Sequence, residues 1–136
     1  VEPTIKEILE YYDGRVNIQY KSLVVSEHDF GYEASLAADC ANAQGEYVAY
    51  HDGLFAVDGD LDLNVLFNVG QSVGLDMDEF NRCLNEEDFK DEIDADTLAG
   101  FKAGIPGTPT FFIGDQKIVG PKPFKTFKTI IDKELK

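Results

Sequence analysis

The two cysteines have the most chemistry available to them, and their spacing limits what that chemistry could be. Cys40 and Cys83 stand 43 positions apart, and the 136 residues contain no other cysteine. Thiol–disulfide exchange usually relies on a Cys-x-x-Cys pair at the start of a helix, where the helix dipole lowers the pKa of the leading thiol. The sequence has no such pair, and both cysteines fall on apolar faces of predicted helices. A redox-active role for them is therefore not expected.

Other chemistry-bearing residues give weaker signals. His51 lies on an amphipathic face, where a single histidine is more often a packed, hydrogen-bonded residue than a catalyst, and His28 is expected to be exposed. Two histidines and two distant cysteines make no zinc spacing, and the acidic groups at Asp58, Asp60 and 86–88 lack the EF-hand pattern. Phosphate-loop, dinucleotide and Gly-x-Ser-x-Gly motifs do not occur. We expect no metal site and no cofactor.

The elements that would position a site begin with a helix and a strand. Residues 3–12 repeat apolar side chains at helical spacing, and Asp13-Gly14 ends the helix. Residues 16–25 alternate apolar and polar side chains and then become apolar, which predicts a strand buried toward its end. This order indicates a β-α-β unit whose first strand is absent. The predicted helix face consists of Ile5, Ile8, Leu9 and Tyr12.

The middle of the chain, from about Asp29 to Gly104, has helical patterns without a strand signal. Small residues between 34 and 41 permit close helix packing, and Asp76 with Glu79 forms an acidic variant of the capping box. The predicted apolar helix positions here are Tyr47, Tyr50, His51, Leu54, Phe55, Leu63, Leu66, Phe67, Val73, Phe80, Cys83, Leu84, Phe89, Ile93 and Phe101.

The tail changes to strand and turn patterns. Residues 110–113 and 116–120 predict a β-hairpin with its turn near Gly114-Asp115-Gln116. A helix follows the hairpin, and its lysines near the end suit the negative C-terminal end of the helix dipole. The predicted buried face of this helix consists of Phe124, Phe127, Ile131 and Leu135.

Size and charge exclude several classes of protein. The length and 43% apolar residues fit one globular domain, and no apolar stretch approaches the roughly 20 residues that cross a bilayer. Twelve basic against 26 acidic residues give a net charge of −14, which opposes binding to nucleic acid and anionic lipid. Solubility and a high-salt habitat could each account for this charge. The start, Val1-Glu2-Pro3, resembles neither a signal peptide nor an initiator methionine, so the true N-terminus is expected upstream.

Several stretches resemble DsbA-type thiol:disulfide oxidoreductases of the thioredoxin superfamily. Residues 104–114, followed by 117–120, resemble the closing segment of these proteins, in which a Thr-Pro or similar pair precedes a strand. Residues 38–45, 50–55 and 80–84 resemble their helical insertion. The likeness spans nearly the whole chain. It implies an α/β, thioredoxin-like fold with a large helical insertion between a βα(β) half and a C-terminal ββα half.

The resemblance also implies an organisation and an incomplete sheet. A single domain would contain a helix and strand over 1–28, the insertion over 29–104 and the loop, hairpin and last helix over 105–136. The catalytic Cys-x-x-Cys would stand just before Val1, because residues 1–9 resemble the sequence that follows it. Three accounts are open: a fragment of a longer chain, which we favour, a strand supplied by another molecule, or a relative that rebuilds its sheet. Self-association through the exposed sheet edge is an expectation.

Gly107, Thr108 and Pro109 are the substrate-binding residues that the resemblance implies. A cis X–Pro bond costs only about 0.5–1 kcal/mol, so proline can turn the chain sharply before the strand. Proline has no N–H, and the backbone groups of Thr108 are left free to pair with an extended substrate. A trans proline is the ordinary alternative, since only about 5–6% of X–Pro bonds in folded proteins are cis. The resemblance favours cis.

A structural disulfide between Cys40 and Cys83 is a further implication of the resemblance. It would join two insertion helices and stabilise by about 4 kcal/mol in the entropic model. Two free buried thiols are the alternative. Disulfides persist outside the reducing cytosol, and we accordingly expect an extracytoplasmic location in the periplasm or cell envelope.

Three functions follow as hypotheses. The first is a thiol:disulfide oxidoreductase that acts on protein thiols and disulfides with a redox partner; its catalytic cysteines lie upstream, and these 136 residues alone are inactive. The second is a non-catalytic, thioredoxin-like module that binds extended peptides. The third is a glutathione-linked transferase or isomerase, which would carry a serine near the missing motif. Redox direction depends on the two residues between the absent cysteines.

Overall fold

Seven helices and one hairpin make up the described part of the computed structural model, which covers residues 2–24 and 30–136. The helices are α1 (Glu2–Tyr12), α2 (Gly31–Asn42), α3 (Tyr47–Phe55), α4 (Leu63–Ser72), α5 (Met77–Asn85), α6 (Lys90–Lys102) and α7 (Phe124–Glu134). The strands are β1 (Thr110–Ile113) and β2 (Gln116–Val119). The chain divides into two compact units, residues 1–20 with 100–136 and residues 21–99. We call the second the helical unit.

The first unit is a hairpin with α1 and α7 around one apolar core. β1 and β2 pair antiparallel, with Phe111 opposite Ile118. A two-residue turn joins them, and Gly114 at its first central position has a φ of 56°, which favours glycine. The predicted hairpin and last helix are thus confirmed. The buried residues of this core are Ile8, Tyr12, Ile118, Phe127 and Ile131.

A polar contact at Tyr12 joins α1 to α7 within this unit. The Tyr12 side chain is almost fully buried, and its hydroxyl donates to Oδ1 of Asp132 at 2.6 Å. Lys128 Nζ donates to the other carboxylate oxygen at 2.6 Å. Burial and then the Asp132 carboxylate raise the pKa of Tyr12 to about 12. The bonds from Lys128 and Tyr12 hold the pKa of Asp132 below its ordinary value.

The helical unit packs α2, α3, α4 and α5 around a second core. Asp76 caps α5 by accepting from the backbone N–H of Glu79 at 3.2 Å, which confirms one half of the predicted capping box. The reciprocal half is not formed, because the Glu79 carboxylate bonds Arg82. Gln44 fixes the same residue, because its side chain donates to the carbonyl of Asp76 and accepts from its N–H. The buried core residues are Ala37, Ala38, Cys40, Ala41, Tyr50, Leu66, Val69, Leu75, Phe80 and Cys83.

The strand predicted over residues 16–25 is not a strand in its described part, 16–24. The expected alternation is present, since Val16 and Ile18 are half-buried while Asn17 and Gln19 are exposed. A strand also needs a neighbouring strand to pair with, and no described residue supplies one to this segment. The prediction is therefore wrong for these residues. Val25 and His28 lie outside the described residues.

Some predicted core positions are at the surface instead. Leu9, Phe55, Leu63, Phe101 and Leu135 are each between 42% and 65% exposed. Leu63 is the first residue of α4, and Leu135 follows the last residue of α7. Each therefore lacks a helical turn on one side, with which a buried side chain would pack.

Among the described helices, none is both long enough and apolar enough to cross a bilayer.

Tyr12→Phe should lower the free energy of unfolding by about 1–2 kcal/mol, because it removes a buried hydrogen bond to a charged group and leaves Asp132 with one fewer donor. Urea denaturation at neutral pH measures the loss. Tyr11→Phe is the matched control, since Tyr11 is 50% exposed, and it should change stability by less than about 0.5 kcal/mol. Equal losses in the two variants would contradict this role of the Tyr12 hydroxyl.

Candidate functional site

The candidate site is the loop between the end of α6 and β1. Gly104 ends the helix with a φ of 72°, and its N–H donates to the carbonyl of Phe101 at 3.1 Å. The N–H of Ile105 then donates to the carbonyl of Gly100 at 3.1 Å. These bonds fix the start of the loop. Its other end runs directly into the paired strand at Thr110.

The peptide bond between Thr108 and Pro109 in this loop is cis. The Thr110 hydroxyl donates to the carbonyl of Gly107 at 2.7 Å, and the N–H of Gly120 donates to the carbonyl of Pro109 at 2.8 Å. Thr108 is exposed, and its backbone N–H and C=O have no hydrogen-bond partner among residues 2–24 and 30–136. Free backbone groups therefore stand at the apex of an otherwise anchored loop.

Thr108 belongs to the same open edge as β1. In an antiparallel pair, backbone groups point alternately toward and away from the partner strand. The bond between Gly120 and Pro109, together with the register, directs Pro109, Phe111 and Ile113 toward β2. The N–H and C=O groups of Thr110 and Phe112 consequently point away from β2, and those of Thr108, just before the cis bond, have no partner among the described residues. In the described sheet no strand pairs with them.

Packing on α7 holds this edge in place. The Phe111 ring lies 4.9 Å from the Phe127 ring, centre to centre, in an edge-to-face arrangement. Gly107 has open space where a Cβ atom would stand, so the loop leaves room on that side. The arrangement can hold an extended polypeptide through its backbone. Residues 103–109 of the loop include no cysteine, histidine or carboxylate side chain.

The two cysteines are joined in a disulfide between α2 and α5 in the helical unit. The sulfur atoms lie 2.05 Å apart and the Cα atoms 5.9 Å apart. Cys40 is 1% exposed and Cys83 is 3% exposed, and neither is a free thiol. A disulfide buried in this way is not accessible to a substrate thiolate without local opening.

His51 is a packed aromatic side chain in the helical unit, and its Nδ1 lies 3.8 Å from Oδ1 of Asp52. The His51 ring packs between Tyr47 and Phe55, with ring centres 5.7 Å and 4.7 Å away. His28 lies outside the described residues. Within residues 2–24 and 30–136 no three histidine, cysteine or carboxylate side chains are placed to hold a metal ion.

Asp39 is a titratable residue that the sequence pattern did not single out. It is half-buried on α2 next to Cys40, and burial first, then the carboxylates of Glu92 and Asp96, raise its pKa to about 6. The signal in the sequence was a carboxylate inside a run of small, buried residues. The neighbours on α6, which complete the effect, lie more than 50 positions away.

Comparison with known proteins gives a family match and several curated relatives that are much longer than this chain. A family model described as thioredoxin matches residues 1–133. The Na(+)/H(+) antiporter NhaA 3 of Salinispora tropica is 30% identical over 121 residues, which are 88% of this chain and 18% of that protein. The chain thus spans about a fifth of the length of the curated relatives it matches.

Two solved structures share the fold of the chain. The thiol-disulfide exchange protein alpha-DsbA2 of Wolbachia pipientis has a TM-score of 0.88 and 20% identity, with 98% of this chain and 72% of that chain covered. A thioredoxin-like oxidoreductase of Silicibacter pomeroyi has a TM-score of 0.83 and 22% identity, with 97% and 77% covered. About a quarter of each neighbour has no counterpart here.

Asp39→Asn should make the protein more stable at neutral pH. The folded-state pKa lies above the unfolded one, so Asp39 contributes stability that is complete below about pH 4 and is lost as the pH rises through about 6. After discounting for solvent screening, the variant should gain on the order of 1–2 kcal/mol at pH 7.5 and nothing near pH 3.5. Urea titrations across this range measure the difference.

The control for this prediction is Asp58→Asn, which removes an exposed carboxylate from the same unit. It should change the free energy of unfolding by less than about 0.5 kcal/mol at every pH. A gain for Asp39→Asn that does not vary between pH 4 and 7 would show that titration of this carboxyl is not the cause.

Proposed function

The chain belongs to the thioredoxin family, and from that premise we propose that it is the greater part of a DsbA-type thiol:disulfide oxidoreductase acting on protein thiols and disulfides. The thioredoxin-like fold with a helical insertion, predicted from the resemblance, is confirmed by the family match and by the TM-score of 0.88 to alpha-DsbA2. Relationship to this superfamily supports a redox function acting through disulfides. The location of the catalytic dithiol and the binding residues are finer parts of the proposal.

The observation that carries the proposal is the open edge formed by Thr108, Thr110 and Phe112. A sheet edge with unpaired N–H and C=O groups is a template for an additional strand. We assign Thr110 and Phe112 to a strand from residues upstream of Val1. Thr108, with Gly107 and Pro109 beside it, then receives an extended substrate. In a chain without the upstream residues, the same edge is expected to associate with a second copy.

The catalytic Cys-x-x-Cys, in this proposal, immediately precedes α1. The dipole of α1 would lower the pKa of a leading thiol placed at its N-terminus, which is the arrangement that makes a thiolate available near neutral pH. Two facts support an upstream dithiol. Cys40 and Cys83 are already bonded to each other, and about a quarter of each solved neighbour has no counterpart in this chain.

Partners and location follow from the same chemistry. An exchange cycle transfers a disulfide between the upstream cysteines and a substrate, so a second redox protein must restore their starting state. We place the protein outside the cytosol, in the periplasm or cell envelope. The Cys40–Cys83 disulfide supports this location, because structural disulfides form and persist mainly in oxidising compartments.

A non-catalytic peptide-binding module is the second candidate. The specific observation in its favour is that the curated relative from Salinispora tropica carries the matching residues as 18% of a protein named as an antiporter. In such a module the loop at Thr108 would hold an extended segment without exchanging disulfides. The residues before Val1 separate the two candidates.

Amide hydrogen exchange tests the assignment of the edge. In the 136-residue chain at low concentration, the amides of Thr108, Thr110 and Phe112 should exchange rapidly. Adding the upstream residues should slow Thr110 and Phe112 by about tenfold or more, and adding an extended cysteine-containing peptide should slow Thr108. Lys117 and Val119 on the other edge of the hairpin are the internal control and should not change. Protection of Lys117 in place of Thr110 would refute the assignment.

Reactivation of a scrambled, disulfide-containing test protein in a glutathione buffer measures the activity itself. The 136 residues alone should give the uncatalysed rate, and the longer gene product should exceed it by at least about 10²-fold. Replacing the upstream cysteines by serine should abolish the activity, while Cys40→Ala/Cys83→Ala should keep it. Turnover by the short chain, or a longer product without a dithiol before Val1, would reject the enzyme in favour of the module.

A further inference from the structure

The charge of the chain is divided unevenly between its two units. Residues 21–99 contain 19 of the 26 acidic side chains and three of the 12 basic ones, a formal net charge of −16. Residues 1–20 and 100–136 contain the other seven acidic and nine basic side chains, a net charge of +2. The whole negative excess therefore belongs to the helical unit.

The three basic side chains of the helical unit each face carboxylates of the same unit. Lys21 Nζ lies 3.8 Å from Asp96, and Lys90 Nζ lies 2.6 Å from Asp94. Arg82 bonds three carboxylates at once, which are those of Glu79, Glu86 and Asp88. Each of these cations thus has a carboxylate partner within the unit, where three basic side chains stand against 19 acidic ones. The raised pKa of Asp39 fits a negative local potential.

An apolar groove of about 150 Å³ opens in this acidic unit. Its walls come from α2, α4 and α5, and Leu63 at the start of α4 is 48% exposed beside it. Glu33 and Glu87 also line the groove and add two carboxylates. The apolar and aromatic lining residues are Tyr32, Leu36, Leu63, Phe67 and Leu84.

We propose that this groove binds a cationic, apolar segment of a partner polypeptide. Aliphatic or aromatic side chains of the partner fill the groove, and its lysine or arginine side chains face Glu33 and Glu87. The net charge of −16 attracts such a segment over a distance of about a Debye length and raises its association rate. The site requires no thiol chemistry, so it stands whether or not the catalytic cysteines lie upstream.

A second copy of the chain and a purely solubilising role for the charge both fit the observations less well. A second copy that placed its own helical unit against the groove would bring like charges together, and they oppose that contact. Acidity that serves solubility or a high-salt habitat acts on the whole surface, yet the first unit carries a net charge of +2. Segregated charge next to an apolar groove is instead typical of a complementary, oppositely charged partner.

Fluorescence anisotropy with a labelled peptide of leucine and lysine at helical spacing tests the proposal on the chain. Two companion peptides replace leucine by serine or lysine by glutamate. The leucine–lysine peptide should bind at least about tenfold more tightly than either companion, and raising the salt from about 20 to 200 mM should weaken it several-fold. Equal binding of the three peptides, or no binding by any, would overturn the proposal.

Variants then place the peptide in the groove. Glu33→Gln/Glu87→Gln should weaken binding roughly three- to tenfold, from two rim charges of a few tenths to one kcal/mol each. Glu46→Gln/Asp91→Asn removes the same charge from the same unit outside the groove and should weaken binding less than about twofold. Equal effects of the two double variants would show that the peptide responds to the overall charge of the unit and not to the groove. That result would reject the proposal. Leu63→Ser should abolish the preference for leucine, with circular dichroism as the check on folding.

Sedimentation of the chain and of the same variants tests whether a second copy of the chain occupies the groove. A dimer of the chain that Leu63→Ser dissociates would assign the groove to a second copy and refute the proposal. A dimer that Leu63→Ser leaves intact belongs to the sheet edge and supports the groove as a site for another polypeptide.

Discussion

The first unit depends on one constraint, which is that backbone N–H and C=O groups need hydrogen-bond partners. A strand that leaves water must satisfy each N–H and C=O, and the hairpin satisfies only half of those on β1. Backbone groups of Pro109, Phe111 and Ile113 face β2, whereas those of Thr110 and Phe112 face away from it and those of Thr108 have no partner among the described residues. The anchoring of the loop by Gly104 and Gly120 matters because it holds this open side in one geometry. An edge fixed in this way can receive a strand without first being ordered.

In the helical unit the two cysteines form a structural disulfide. Ala37, Ala38 and Ala41 let α2 approach its neighbours closely, and the disulfide from Cys40 to Cys83 holds α2 against α5 where both are buried. A buried bond of this kind exchanges slowly because an attacking thiolate cannot reach it. A reactive dithiol needs the opposite surroundings, with access to solvent and a helix N-terminus. One cysteine pair cannot meet both requirements. A chain with two separate pairs can therefore keep one as a structural disulfide and exchange disulfides through the other.

Features that depend on neighbouring residues could be predicted from the sequence, while those that depend on distant contacts could not. Asp76 caps α5 and Gly114 forms the hairpin turn through bonds and dihedrals within four residues. Residues 16–24 have the right alternation for a strand, but pairing needs a second strand that the pattern cannot supply. Exposure of Leu63 and the raised pKa of Asp39 likewise depend on what lies opposite in the fold. The open edge at Thr108 needed the observed register, because a shift by one residue would reverse it.

Charge segregation bears on how such a protein could select its partners. A strand added to a sheet edge is recognised mainly through its backbone, so the edge proposed at Thr108 would accept many sequences. Selectivity must then come from side-chain contacts elsewhere, and the helical unit offers both apolar surface and a net charge of −16. The two modes respond differently to solution conditions. Backbone pairing is largely indifferent to salt, whereas attraction to the acidic unit falls as the Debye length shortens. Binding at the edge and binding at the groove can therefore be told apart by their dependence on salt.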